Sequence, residues 1–511
     1  MTGARTAYDG VMSEHEHSYW ISSAPEDRHP ALGSDIDVDA AVIGAGLVGI
    51  TAAYLLQREG LSVALIEMGR ILHGTTGHTT AKLTWGHNLI YDRLEKDHGA
   101  ETAALYGRAN RDGLELIRTL IESLHIDCDL ETKTNYVYAT SPRDVGSIQA
   151  EVDACDRIGL PARFVTETSL PYPIAGAVEQ PDQAQFHPLK YGSGILRAFL
   201  DAGGQVYEDT RATGLSEGEP CVISTPGGEV RASNVVVASL YPFIDRAFLF
   251  PRVHPKRSYA IAGTVEPAAL PEGMFISSGE PTRSVRTVRD GDRTLLLVGG
   301  EGHAVGQKYD THTCYSNLES WAREQFGMQT THRWSAQDGT SVDGIPFIGR
   351  YRSGAPNVYV ATAFGKWGFT NGTIGARSIA NGILGDEDPY VGLYDPQRLP
   401  LKASAAKALS ENAKIAAHFI TDRASHPQKG PLHALQPGEA AVDDMGIRPV
   451  AGYRDADGVL HKVSAVCTHL GCIVAWNPAE KTWDCPCHGS RFGIDGSVIQ
   501  GPAVEDLPRR D

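Results

Sequence analysis

The sequence predicts a large α/β domain followed by a small all-β domain. Short β-branched runs alternate with helical stretches over residues 36–395, which is the pattern of an α/β fold. Residues 431–511 are rich in Gly, Pro and Val and predict a small β module. Residues 396–430 include an Ala- and Lys-rich stretch at helical spacing and predict a helical linker. Residues 1–35 are rich in His, Glu, Asp, Ser and Pro and predict an N-terminal tail.

The α/β domain opens with a strand, a helix and a second strand. Their composition and periodicity predict a strand over Ala40–Ile43, a helix over Leu47–Glu59 and a strand over Ser62–Glu67. Three later strands and a closing helix are predicted at Val235–Ser239, Thr294–Val298, Asn357–Ala361 and Ile374–Ile383.

Charge and hydropathy argue against several classes of partner. The chain has 46 Lys and Arg against 62 Asp and Glu, a formal net charge of −16. Phosphate binding needs surplus cationic side chains, so we expect no nucleic-acid partner, and an anionic membrane surface is also a poor partner. No apolar run approaches the roughly 18 residues that cross a bilayer, and the start of the chain lacks an export signal. We therefore expect a cytoplasmic protein with no membrane partner.

A glycine motif between the first strand and the first helix predicts a dinucleotide site. Gly44 permits a tight turn, Gly46 lets the backbone approach a pyrophosphate, and Gly49 allows close packing of the helix on the strand. Glu67 ends the next strand, 18 residues after Gly49, where a carboxylate can bind ribose hydroxyls. Because a carboxylate there disfavours a 2′-phosphate, NADP is not expected.

A cluster of cysteines and histidines near the C-terminus predicts a metal centre. The cluster has the spacing Cys467-x-His469-x-x-Cys472 and then Cys485-x-Cys487-His488. Two Cys-plus-His pairs on two loops can hold two irons, because thiolates suit a ferric iron and neutral imidazoles suit the other. The same residue types could also build a Cys2His2 zinc site, so both interpretations stay open at this point.

The full motif, with the Gly-Ser that follows it and the later Gly501-Pro502, resembles the Rieske [2Fe–2S] domain over about 80 residues. The resemblance implies that one iron is held by Cys467 and Cys485 and the other by His469 and His488. Two neutral imidazoles in place of two thiolates raise the potential above that of an all-Cys cluster. The remaining cysteines, Cys472 and Cys487, match the pair that forms a disulfide in Rieske proteins of the cytochrome-bc-complex type.

Two positions after the motif bear on the cluster potential. Ser490 matches the position whose hydroxyl bonds a cluster sulfide, whereas Phe492 stands where high-potential members carry a Tyr. With one donor fewer for the reduced cluster, we expect a potential below that of the respiratory Rieske proteins.

Two further segments decide between FAD and NAD. The loop from Gly74 to Lys82 is dense in small hydroxyl residues, and Asp343–Gly349 is followed by a strand and by Ala363–Thr370 at the start of a helix. Together with the glycine motif, these segments resemble the glycine oxidase/D-amino-acid oxidase family of FAD-dependent oxidoreductases. The resemblance implies a Rossmann-type FAD-binding domain, in segments of about 36–95, 185–245 and 340–390, with an interleaved α+β substrate domain.

The same resemblance implies a set of FAD contacts. The pyrophosphate would lie at Gly44–Gly49, and the adenine would contact the backbone of Ala212, on a predicted strand. The loop that would lie beside the flavin ring contributes Thr75, Thr76, Thr79, Thr80 and Lys82. The loop that would close over the far edge of the ring contributes Gly365, Lys366, Trp367, Gly368, Phe369 and Thr370.

The substrate is less well specified. Lys366 and Trp367 are bulky where amine oxidases usually have small residues, which disfavours an amino-acid substrate. Four candidates lie near where the family carries substrate groups, although each is more readily explained as a structural or surface residue: Arg252, Lys256, Arg257 and Tyr259. We expect amine-type chemistry on a small molecule.

Two cofactors in one chain indicate electron transfer. A flavin accepts two electrons and can release them singly, whereas a Rieske cluster carries one. We expect a small-molecule substrate to reduce FAD, and electrons to leave one at a time through exposed His469 or His488 to a one-electron acceptor, expected to be a protein. Reverse flow from a one-electron donor is equally allowed. A non-enzymatic redox sensor or electron-transfer module is the alternative from another class.

Overall fold

The computed structural model describes residues 18–25, 27–245, 247–398, 409–410, 412–413, 426–443 and 448–510. The α-helices of this part of the chain are α1 (Tyr19–Ser23), α2 (Leu47–Arg58), α3 (Tyr91–His98), α4 (Ala100–Ser123), α5 (Val145–Arg157), α6 (Pro188–Asp201), α7 (His312–Phe326), α8 (Gly368–Leu384) and α9 (Val391–Tyr394). None of these helices is both long enough and apolar enough to span a membrane.

The strands of the first domain are β1 (Ile36–Ile43), β2 (Val63–Ile66), β3 (Lys82–Leu83), β4 (Glu131–Ala139), β5 (Arg163–Val165), β6 (Gly176–Gln185), β7 (Gln205–Tyr207), β8 (Gly214–Ser216), β9 (Cys221–Thr225), β10 (Gly228–Val237), β11 (Val253–Thr264), β12 (Met274–Ser277), β13 (Arg283–Asp290), β14 (Arg293–Ala304), β15 (Gln329–Ser341), β16 (Phe347–Arg352) and β17 (Ala355–Thr362). Those of the second domain are β18 (Ala440–Asp443), β19 (Val450–Arg454), β20 (Leu460–Ser464), β21 (Ala475–Asn477), β22 (Thr482–Asp484), β23 (Arg491–Phe492) and β24 (Val498–Gln500).

An eight-stranded sheet carries the predicted nucleotide-binding elements. Its main path is β16-β17-β10-β1-β2-β7, in which β17, β10, β1, β2 and β7 run parallel. Residues Ala40–Ile43 of β1 are all buried, as expected for a central parallel strand with both faces covered. Helix α2 packs against both α6 and α8. The predicted first strand, first helix and second strand are confirmed with ends shifted by a few residues.

A nine-stranded sheet forms the second layer of the first domain. Its main path is β15-β11-β14-β13-β12-β4-β6-β3, with β5 paired to β6. Helix α7 packs against β11 and β14. The chain alternates between the two sheets, because β3–β6 and β11–β15 are inserted between strands of the first sheet. This confirms the predicted α/β domain with an interleaved α+β portion.

The C-terminal domain consists of two small antiparallel sheets, β18-β19-β20 and β21-β22-β23-β24. Its core is formed by Val463, Trp483 and Phe492 together with the cysteines of the motif. The predicted all-β module is therefore confirmed.

Two predictions at the ends of the first domain have different outcomes. The predicted tail is wrong from residue 18 onward, because α1 packs into the domain: Trp20 is fully buried and its indole Nε1 donates to the carbonyl of Thr79 at 2.7 Å. Burying two large aromatic rings, Tyr19 and Trp20, stabilises this short helix. The helix predicted over Leu401–Ile420 lies outside the described residues, apart from positions 409–410 and 412–413.

Candidate functional site

A cavity of about 1100 Å³ lies where the two sheets and the C-terminal domain meet. Most of the predicted cofactor residues line it: Gly44, Gly46, Glu67, Thr75, Thr76, Thr79, Thr80, Lys82, Ala212, Lys366, Trp367, Gly368 and Phe369. Three others do not line it, namely Gly49, Gly365 and Thr370. Residues 497–501 and 503–504 of the C-terminal domain also line the cavity, which the sequence did not indicate.

The glycine motif forms the turn that leads into α2. Gly44 has φ +101°, and a Cβ there would come within 2.7 Å of the carbonyl oxygen of Ala238. Gly46 is the residue before α2, so the N-terminal end of the helix opens on the cavity. Gly49 packs its helix on the strand, since a Cβ would overlap the carbonyl of Gly44. This cradle fits a pyrophosphate, because a helix N-terminus favours negative charge.

Glu67 follows β2 at the carboxyl end of the parallel sheet. Its carboxylate accepts backbone N–H groups from Ala45 at 2.8 Å and from Gly69 at 3.0 Å. Burial raises the pKa of Glu67, and these two hydrogen bonds oppose that rise. The carboxylate is thus held beside the glycine turn, where ribose hydroxyls would be bound.

The loop after β2 is fixed by hydrogen bonds to the second sheet and to α2. The hydroxyl of Thr75 donates to the carbonyl of Gln337 at 2.9 Å, and that of Thr76 accepts the N–H of Leu47 at 3.1 Å. The buried Lys82 donates its Nζ to the carbonyl of Phe275 at 2.5 Å. Burial, with the neighbouring Arg286, holds the pKa of Lys82 well below its ordinary value.

The turn before α8 forms another wall. Lys366 has φ +76° and donates its backbone N–H to the carboxylate of Asp338 at 2.5 Å. Trp367 stacks on His87 with ring centroids 4.7 Å apart. Thr370 instead hydrogen-bonds His87 at 3.2 Å behind the wall, which explains why it does not reach the cavity.

Asp338 lines the cavity and was not found from the sequence. Burial raises the pKa of Asp338 to about 6. One carboxylate oxygen holds the Lys366 turn, whereas Oδ1 is buried without a hydrogen-bond partner among the described residues. An isolated acidic residue within a strand gave no signal that it would face a cavity.

The prediction that Ala212 lies on a strand is wrong. Ala212 is buried and lines the cavity, but it lies in the connection between β7 and β8. The reason is that Thr210 donates its N–H to the carbonyl of Glu67 at 2.8 Å, which ties this connection to the loop after β2 and interrupts sheet pairing.

The four substrate-group candidates divide into two pairs. Lys256 and Tyr259 line the cavity. Arg252 stacks on Phe347 and donates to the carbonyl of Pro396, so it holds the fold together. Arg257 is only 1% exposed and pairs with Asp484 of the C-terminal domain at 3.0 Å, so it is not available to a substrate.

The four predicted cluster ligands converge on two adjacent loops. Cys467 and Cys485 are buried free thiols that hydrogen-bond each other, and this bond lowers the pKa of Cys467. The rings of His469 and His488 lie 5.1 Å apart. Each histidine has a buried Nδ1 with no hydrogen-bond partner within the described ranges. Burial lowers the pKa of His469 to about 4 and that of His488 to about 3, so both are neutral near pH 7.

Two thiols and two unpaired imidazole nitrogens fit the donor set of a Rieske cluster. A disulfide joins Cys472 to Cys487 and ties the two loops together, as the resemblance implied. The hydroxyl of Ser490 lies beside the Cys467 sulfur and accepts the N–H of Ala503 at 3.0 Å. Phe492 is fully buried and offers no donor.

The expectation that the cluster histidines are exposed is wrong. His488 is only 7% exposed and His469 is half-buried. Phe250 of the first domain packs against both rings, with centroid distances of 4.5 Å to His469 and 5.2 Å to His488. The histidine edge is covered because the C-terminal domain is docked with this edge toward the first domain.

Comparisons with known proteins agree with this architecture. The family model of FAD dependent oxidoreductases (DAO) matches residues 39–381, and the Rieske [2Fe-2S] domain model matches residues 429–510. The Rieske 2Fe-2S iron–sulfur protein YhfW of Bacillus subtilis is 36% identical over 98% of each chain. Gamma-glutamylputrescine oxidoreductase of Escherichia coli is 25% identical over 81% of this chain and 99% of its own.

Among solved structures, glycine oxidase of Geobacillus kaustophilus superimposes with a TM-score of 0.60 at 19% identity, covering 71% of this chain and 99% of that one. The DAO match implies FAD, and the Rieske match implies a [2Fe–2S] cluster in place of the zinc alternative. The chain therefore belongs to the DAO family of FAD-dependent oxidoreductases and carries a Rieske [2Fe–2S] domain at its C-terminal end.

Proposed function

We propose that the chain dehydrogenates an amine-type small molecule and passes the electrons singly through its cluster to a protein acceptor. One observation carries this proposal: the cluster domain forms part of the wall of the cavity that fits FAD. The name of the Escherichia coli relative, gamma-glutamylputrescine oxidoreductase, supports an amine as the substrate class.

The proposed reaction balances as follows. One C–H bond and one N–H bond of the amine break, and a C=N bond forms. The two electrons go to two equivalents of a one-electron acceptor protein, and two protons go to solvent. When bound, FAD supplies the two-electron dehydrogenation and the cluster supplies one-electron transfer.

In this proposal, FAD is held by the cavity-lining residues of the glycine turn, the loop after β2 and the turn before α8. Gly44 and Gly46 would hold the pyrophosphate, and Glu67 would bind the ribose. The hydroxyl-rich loop and Lys82 would lie beside the flavin ring. The cluster is held by Cys467, His469, Cys485 and His488.

The substrate would meet polar groups on the side of the cavity formed by the second sheet. Lys256, Tyr259 and Asp338 all reach this wall. Because its pKa is about 6, Asp338 is mainly ionised near neutral pH, and its negative charge on this wall would favour a cationic amine.

The test is an anaerobic substrate screen of the purified protein. Diamines, polyamines, N-alkyl amino acids and D-amino acids are added, and flavin absorbance and the EPR signal of the reduced cluster are recorded on the same samples. We expect one amine class to bleach the flavin and then to produce the cluster signal. Bleaching by none of these amines would contradict the proposal.

A cluster-ligand variant separates the two halves of the function. In Cys467→Ser, we expect the active amine to bleach the flavin as in the wild type, but reduction of cytochrome c, used as a one-electron protein acceptor, to be lost. Unchanged cytochrome c reduction would show that electrons bypass the cluster. Flavin reduction by a reduced one-electron protein, with no bleaching by amines, would indicate reverse flow.

A further inference from the structure

We propose that the Rieske domain is a fixed wall of the flavin cavity, and that electrons cross between flavin and cluster through a permanent interface without movement of the domain. This inference rests on the proposed function, in which the two cofactors exchange electrons. Three features of the interface support it.

The first feature is a set of contacts between the two domains at the nucleotide end of the cavity. Arg211, next to Ala212, donates to the carbonyls of Val504 at 3.2 Å and Val498 at 3.3 Å and pairs with Asp506 at 3.1 Å. Met68, which follows Glu67, packs against the core of the Rieske domain. The residues beside the predicted adenosine site are therefore held by the Rieske domain itself.

The second feature is a buried charge pair across the interface. Arg257 and Asp484 are 1% and 3% exposed, with 3.0 Å between Nη2 and Oδ2. Separating the domains would leave this guanidinium without its carboxylate, and breaking a buried ion pair is strongly unfavourable. Neighbouring hydrogen bonds, between Thr311 and Asn477 at 2.7 Å and between Tyr315 and Glu480 at 2.8 Å, also oppose separation.

The third feature is the direction of the cluster edge. His488 faces Phe250, and the next residue, Gly489, accepts a hydrogen bond from Gln337 Nε2 at 2.6 Å. The backbone carbonyl of the same Gln337 accepts the hydroxyl of Thr75 at 2.9 Å. One buried residue thus connects the loop that carries a cluster ligand with the loop proposed to lie beside the flavin ring. This short connection needs no change of domain position.

Viscosity provides a test on the unmodified holoenzyme. Laser-flash photoreduction with 5-deazaflavin adds one electron per molecule under anaerobic conditions, and absorbance follows the redistribution of that electron between flavin and cluster. We expect the rate constant to change by less than about twofold when sucrose raises the viscosity about tenfold, because large domain motions are not involved. A rate constant that falls in proportion to viscosity would overturn the fixed wall.

A variant that weakens the interface provides the second test. In Arg257→Met, Asp484 keeps its second partner Arg491, so the Rieske domain retains its own ion pair. We expect the internal rate constant to fall and to become dependent on viscosity. The matched control is Arg398→Met, which breaks the buried pair with Asp343 inside the first domain and should leave the rate constant as in the wild type.

The outcomes separate the two proposals. If no electron passes between flavin and cluster in the wild type, the proposed function fails. If electrons pass but the wild-type rate follows viscosity, only the fixed wall fails. If Arg257→Met exchanges electrons as the wild type does, with no dependence on viscosity, the interface is not what positions the cluster, and the inference is overturned. Because the wild-type measurement needs no substitution, a variant that does not fold leaves the test intact.

Discussion

The hydroxyl of Ser490 and the ring of Phe492 occupy two positions next to the cluster ligands, but only the first offers a hydrogen-bond donor. Donors to cluster sulfur stabilise the reduced state and raise the potential. Ser490→Ala should therefore lower the midpoint potential of the cluster, and Phe492→Tyr should raise it. A redox titration followed by EPR measures both changes. An unchanged midpoint in both variants would contradict this account.

Asp338 makes the free energy of unfolding depend on pH. Its pKa is about 6 in the fold and 3.8 as the ordinary value, so the folded state binds the proton more tightly. Its contribution is therefore most favourable below pH 4 and is lost as the pH rises to about 6, by roughly 3 kcal/mol at about 1.4 kcal/mol per pKa unit. Asp338→Asn should lack this loss. In urea titrations, the free energy of unfolding of the variant minus that of the wild type should therefore become more positive as the pH rises over this window. A constant difference would contradict the assignment.

At the scale of residues, the sequence identifies functional residues only where they lie close together in the chain. The cluster ligands lie on two short loops at fixed spacing, so the motif is sufficient to predict them. Gln337 and Arg257 could not be assigned, because their partners Gly489 and Asp484 lie far away in the chain. The expected exposure of His469 failed for the same reason, since its cover, Phe250, belongs to the other domain.

At the scale of elements, the contact of α2 with β1 depends on Gly49. A methyl group there would overlap the carbonyl of Gly44, and overpacking typically costs about 1–3 kcal/mol. Gly49→Ala should lower the melting temperature and weaken FAD binding, because the glycine turn would shift. Calorimetry and FAD titration of the apoprotein measure the two effects.

Gly146 in α5 is the matched control, since its Cβ position is open. Gly146→Ala should be neutral or slightly stabilising because alanine favours a helix. Equal losses in both variants would show that the packing at Gly49 is not the cause.

The elements that the sequence predicted best are the parallel strands and their helices, because continuous apolar runs mark a strand buried on both faces. The long pairing of β11 with β15 was not predicted, since three strands and α7 separate these two strands in the chain. Helix α1 was also missed. It has only five residues, and its stability comes from the burial of Trp20 in the tertiary structure.

At the scale of the whole molecule, Arg211 connects the Rieske domain to the nucleotide end of the cavity. Arg211→Ala removes an ion pair and two hydrogen bonds to backbone carbonyls of the Rieske domain. The wall beside the adenosine site would then be less well preorganised, and we expect FAD to bind about tenfold more weakly. Titration of the apoprotein with FAD measures this. Lys96→Ala, which removes an exposed ion pair with Asp92, is the control and should bind FAD as the wild type does.

The cavity wall that the Rieske domain contributes also has a consequence for the maturation of the protein. Residues 497–501 and 503–504 line the side on which the adenosine portion would lie, and both cluster histidines pack against Phe250 of the first domain. The site that fits FAD is therefore complete only when the Rieske domain has folded against the first domain. Folding and docking of the Rieske domain would then come before tight binding of FAD.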